Sequence, residues 1–219
     1  AALRGGAEDQ RLLLLLRGAQ RHARTARQAG DQQLVRQHVE LLLGLAVHVR
    51  CPDRAQHVGE AGIVIGSGLA RGIDAAAHKA SLATGTIAAL AGGIDVVYPP
   101  EHEELQRSIG ETGLLVTELP PGYVPRAQDF PRRNRVIAGM AAGVVIVEAA
   151  RRSGSLITAR LATELGREVM AVPGNPLDPR AEGTNGLLRQ GATLVTRAED
   201  VIEAIRPIIG EERAATTPR

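Results

Sequence analysis

The residues best placed to do chemistry stand in PRRNRVIAG, positions 131–139. Arg132 and Arg135 are three apart, so on a helix they share one face, while Val136, Ile137 and Met140 would turn toward a core. Cationic side chains at a helix start oppose the macrodipole and gain nothing from it. Their charge needs an anion, either a carboxylate of the chain (Asp129, Glu118 or Glu148) or an external phosphate. Arg133 and Asn134 complete the cluster. A glycine loop, GSGLARGID at 66–74, offers a second anion-binding device. There Gly66, Ser67 and Gly68 would let the backbone turn sharply and approach a ligand, and Arg71 adds a charge. The same glycines also serve an ordinary tight turn. A third device is ARRSGSL at 150–156. Ser155 is a candidate helix cap, Ser153 and Gly154 precede it, and Arg151 and Arg152 stand alongside.

Other chemistry is poorly supplied. Ser67 and Ser155 lie on loops with no histidine and acid arranged around them by a motif. No HExxH, Walker lysine or CxxC is present, and His22, His38, His48 and His57 with Cys51 match no zinc spacing. No cofactor is expected, and no metal. One cysteine excludes an internal disulfide framework and fits a reducing cytoplasm. The leucine run 12–16 is far too short to span a bilayer. Charged residues make up 23% and net charge is +2, with a pI of about 9.2. That balance hints only weakly at an anionic partner. Lys79 is the single lysine, so the basic charge is almost wholly arginine, whose planar fork suits phosphate and guanine. Tyr98, Tyr123 and Phe130 are the only aromatics, which leaves little for stacking bases.

These loops need a scaffold. After Glu60, short β-branched runs ending in glycine or a turn (AGIVIGSG, TIAALAGG, GLLVTELP, GVVIVEAA, EVMAVPG, ATLVT) alternate with helical segments. The pattern predicts an α/β fold: a doubly wound, mostly parallel, Rossmann-like sheet with its strand-to-helix loops on one edge. The dinucleotide fingerprint is missing its acidic residue. Residues 1–60 read differently. RLLLLLRGAQRHARTARQ and LVRQHVELLLGLAVHVR suit helices without a clean stripe. The expected organisation is an atypical, helical N-terminal segment 1–60, a Rossmann-like domain 61–207 and a flexible tail 208–219.

The ordered set GSGLARGIDAAAHKASLATGTIAALAGGIDVVYPPEHEEL, DFPRRNRVIAG, VVIVEAARRSGSLITA and VPGNPLDPRAEGTNGLLRQGA resembles the DprA/Smf family of DNA-processing proteins over about 61–205. The resemblance implies a non-enzymatic, cytoplasmic protein of natural transformation. Such a protein binds and protects single-stranded DNA, helps load the RecA recombinase, and forms a homodimer. It implies DNA contact for Arg71, for Arg132, Arg133, Asn134 and Arg135, and for Arg152, Ser153, Gly154 and Ser155, beside Gly66, Ser67 and Gly68. The alternative is a nucleotide-processing enzyme similar to the Rossmann-like phosphoribohydrolases, whose PGGxGT loop is not matched by VPGNPLDPRAEGTN.

Two departures accompany the likeness. The family's opening strand ending in Gly-Ser-Arg has no counterpart in residues 1–60, and the winged-helix module often appended is not expected after Pro207. The abrupt change near Glu60 fits a shift of reading frame better than gradual divergence. Without an opening strand, AGIVIGSG is expected to have one edge unpaired, and the chain to be marginally stable. The arginine clusters predict salt-sensitive binding to single-stranded DNA, weaker to duplex, with the log–log salt slope growing by about 0.7 per phosphate neutralised. A titration at several salt concentrations checks this, and a flat dependence would contradict it.

Overall fold

The computed structural model describes residues 44–48 and 52–209. The rest of the N-terminal segment, including Leu12–Leu16, His22, His38 and Cys51, and the tail from residue 210 lie outside the described residues. By contacts the chain divides into Ala1–Leu42 and Leu43–Arg219, and the whole described fold belongs to the second unit.

Seven parallel strands form one sheet in the order β4-β3-β2-β1-β5-β6-β7. They are β1 (Gly44–His48), β2 (Ile65–Ser67), β3 (Thr86–Ala89), β4 (Leu114–Val116), β5 (Ala141–Ile146), β6 (Glu168–Ala171) and β7 (Thr193–Leu194). The helices are α1 (Pro52–Glu60), α2 (Ile73–Ser81), α3 (Glu103–Thr112), α4 (Asp129–Met140), α5 (Gly154–Glu164), α6 (Glu182–Arg189) and α7 (Ala198–Ile209). The strand order reverses between β1 and β5. A doubly wound sheet of this kind opens its ligand crevice at such a switch, outside the carboxyl ends of the strands. The Rossmann-like expectation holds.

Strands β2, β3 and β5 are buried along their whole length, as a sheet covered on both faces requires. On one face Ile65, Ala142, Val145 and Met170 pack with Ala55 and Val58 of α1 and Val201 and Ile205 of α7. On the other, Val144 and Ile146 pack with Val136 and Ile137 of α4 and Ala159 and Ala162 of α5. Each fully buried Val or Ile contributes about 1.5–3 kcal/mol relative to exposure. This explains why the α4 arginine cluster is followed at once by Val136 and Ile137: that helix is held down by its second half.

The N-terminal expectations need correction. Residues 44–48 are not helical. Leu45 pairs with Ile65 on one side and Gly143 on the other, so GLAVH fills the central slot and β2 has no unpaired edge there. The pattern was obscured because LAVHV lacks the closing glycines that follow IVI and TIAALA. At the far end, Ile208 and Ile209, assigned to the tail, are the last residues of α7.

This placement makes a prediction. Hydrogen exchange at the amides of 45–48 should be as slow as at Val144–Ile146, their ladder partners. Fast exchange at 45–48 beside slow exchange at β5 would remove β1 from the sheet.

Candidate nucleic-acid interface

Four loops leave the carboxyl ends of β2, β3, β4 and β5. The first, 68–72, is wound around a carboxylate of its own. Asp74, in the first turn of α2, accepts the amides of Gly68 and Ala70 at 3.1 Å each. Two N–H groups that the sequence reading offered to an external anion therefore face an internal one. Leu69 takes a left-handed φ of 57°, uncommon for a residue with a Cβ. Its side chain is fully buried and its carbonyl accepts the Nδ1–H of His102 at 3.0 Å, which fixes that imidazole's tautomer. Ser67 is buried and Gly66 lies within β2.

Arg133 governs the centre. It is 8% exposed, and one guanidinium nitrogen donates to the carbonyls of Gly68 (2.6 Å) and Ala89. It thus ties the end of β3 to the loop after β2. A Cβ on Gly68 would stand 2.4–2.5 Å from that guanidinium, so the site needs glycine for close approach rather than for φ. Burial pushes the Arg133 pKa down and the nearby Asp74 charge opposes the shift. The arginine is a strut, and its fork points inward.

The other arginines divide by partner. Arg135 donates to both oxygens of Glu118 at 2.6 and 2.7 Å, a half-buried pair. Arg71 makes a fork to Glu101, its Nη2 at 3.1 Å and its Nε closer. That neighbour pulls the Glu101 carboxyl down to about 2. Arg151 lies 3.8 Å from Glu182. Arg132 and Arg152 are exposed and make no ion pair among the described residues. In the fourth loop Ser153, not Ser155, is the helix cap: its hydroxyl accepts the Ser155 amide at 3.3 Å and meets the Ser155 hydroxyl at 2.7 Å. Asn134 reaches across to donate to the Gly154 carbonyl at 3.2 Å, joining the arginine helix to the serine loop.

Sequence reasoning missed the aromatic side of the site. Tyr98 and Phe130 meet with ring centroids 5.2 Å apart, tilted by 53°. They wall a cleft of about 290 Å³ with Arg71, Leu69, Pro99 and Pro125, drawn from three loops. Tyr123, the remaining aromatic, donates its hydroxyl to Asp129 and lies under Arg126 at 5.9 Å. A signal was present: both rings precede a proline, in YPP and DFPRR, on successive strand-end loops. Scarcity hid it, because three aromatics spread over the chain predict little, whereas three gathered at one edge make a surface.

The chain is thus a doubly wound, Rossmann-like sheet with arginines and aromatics gathered at its strand ends, where such folds open their crevice. The sequence profile of DNA recombination-mediator protein A matches residues 49–206, and the chain belongs to that family. Protein Smf of Escherichia coli strain K12 is 50% identical over 148 residues, which are 66% of this chain and 40% of Smf. The chain spans about half the length of the curated relatives it matches. The X-ray structure of DNA processing protein A from Streptococcus pneumoniae superposes with a TM-score of 0.67 at 41% identity, covering 76% of this chain and 64% of that one. DNA processing protein A of Helicobacter pylori, solved for its single-stranded DNA binding mode, gives 0.66 at 28% identity over 74% and 81% of the two chains.

The two neighbouring arginines should separate cleanly. Arg133→Ala leaves the Gly68 and Ala89 carbonyls without their donor, at about 1–3 kcal/mol for each unsatisfied group. Its Tm should fall by several degrees. Arg132→Ala should shift stability by no more than about 0.5 kcal/mol. Equal melting of the two variants would contradict the strut.

Proposed function

We propose that this chain binds single-stranded DNA along the carboxyl edge of its sheet, with a base in the Tyr98–Phe130 cleft and phosphates on Arg132 and Arg152. The observation that carries the reading is the cleft itself: two of the chain's three aromatics meet beside Arg71 at a cleft of about 290 Å³. Every base has a π-face, so stacking of this kind tolerates any sequence. A duplex buries those faces, so it fits the cleft poorly. Arg132 and Arg152 stay available to phosphate because no carboxylate neutralises them among the described residues. Asn134, Ser153 and Gly154 hold the two basic segments in register, and Gly68 lines the cleft just beyond Gly66 and Ser67 at the end of β2.

The reading is of a protein that acts by binding. Ser67 is buried, and the Ser153 and Ser155 hydroxyls are bonded to each other. Membership of a recombination-mediator family supports delivery of the bound strand to the RecA recombinase, a homodimeric assembly and a role in natural transformation in the cytoplasm. No helix among the described residues is long and apolar enough to cross a membrane.

Base and phosphate contributions are separable by titration of a single strand at several salt concentrations. Tyr98→Ala should weaken binding by about 1–3 kcal/mol with the salt slope unchanged. Arg132→Ala with Arg152→Ala should lower the slope by about 0.7 for each arginine. An unchanged affinity in the Tyr98 variant and an unchanged slope in the arginine variant would together refute the reading.

A further inference from the structure

We propose that Glu101 is a positioning residue that makes the Tyr98–Phe130 cleft select nucleobases over bare phosphodiester. This rests on the reading of the cleft as a single-strand site. Glu101 takes Arg71 in a two-pronged fork, Nε and Nη2 each donating to a different carboxylate oxygen. The side chains are 63% and 50% exposed, and an exposed pair of this kind contributes little to stability. The pair joins the loop after β2 to the short 3-10 turn Pro100–His102 before α3, and His102 already makes that connection through the Leu69 carbonyl. Folding therefore has no need of the Arg71–Glu101 contact. What the contact does is set the charge and the angle of the arginine at the cleft wall.

An isolated arginine at that wall would attract phosphate. With Glu101 in place, the pair carries no net charge, and an approaching phosphate meets a like charge as close as the attractive one. The guanidinium keeps N–H donors on the edge away from the carboxylate, and Tyr98 adjoins it. Those donors suit the carbonyl and ring-nitrogen acceptors of a base held against the aromatic pair. Arg132 and Arg152, which have no such carboxylate among the described residues, serve phosphate instead. The selection is insensitive to pH in the neutral range. The Glu101 carboxyl is held down to about 2, so its charge is lost only as pH falls through that value.

The test compares the full chain and its Glu101→Gln variant on an oligothymidine strand and an abasic strand of equal length, each titrated at several salt concentrations. Glu101→Gln should raise the salt slope on the abasic strand by about 0.7, one newly available cation, and should reduce the preference for the base-bearing strand several-fold. Glu101→Asp, which keeps the carboxylate, should retain most of the preference. Two results would overturn the proposal: equal weakening on both strands, which makes Glu101 a general support, or no change on either. If the unaltered chain binds neither strand, the single-strand reading falls and this proposal with it. If it binds both and the Gln variant matches it, only this proposal falls.

Discussion

The buried guanidinium of Arg133 is the contact on which the site depends. It holds two backbone carbonyls, at Gly68 and Ala89, that belong to neighbouring strand ends. Burying a charge is costly unless hydrogen bonds and a counter-charge accompany it. Here the carbonyls and Asp74 supply both, and Asp74 in turn gathers the Gly68 and Ala70 amides. One arginine and one aspartate thereby fix the loop carrying Arg71, and with it one wall of the cleft. A side chain at Gly68 would stand where the guanidinium must be.

Around that centre the charges are arranged by partner rather than by number. Arg135 is closed off by Glu118 and Arg71 is held by Glu101, whereas Arg132 and Arg152 are left open to solvent. A net charge of +2 is therefore a poor guide to the interface. The unpaired positive charge is small and local. On the proposed reading, that charge and the adjoining aromatic cleft hold a strand by two kinds of contact with different salt dependence.

Much of the fold was legible because parallel central strands must be apolar throughout and their connections must start with turn residues. IVIGSG and VVIVEAA could scarcely be anything else. Strand β1 was not legible, since LAVHV sits in a run that reads equally well as helix and carries no closing glycine. The arginine cluster was visible, but the roles within it were not. Arg132 and Arg133 are adjacent letters, and only the helix phase and the position of the Gly68 carbonyl send one outward and the other inward. Glu101 and Glu118 lie 30 and 17 residues from their partners, beyond any spacing rule. The aromatic pair was underrated because composition counts residues and says nothing of where the sheet gathers them.

The central claim is that a base of the bound strand lies against Tyr98, on the loop after β3, and Phe130, in the first turn of α4. Photocrosslinking with a single strand carrying iododeoxyuridine, followed by peptide mapping, tests it most directly, because transfer requires contact with the base itself. The account predicts crosslinks on the peptides containing Tyr98 or Phe130, lost in Tyr98→Ala with Phe130→Ala. Crosslinks confined to α7 or β7, with none on those two peptides, would contradict it.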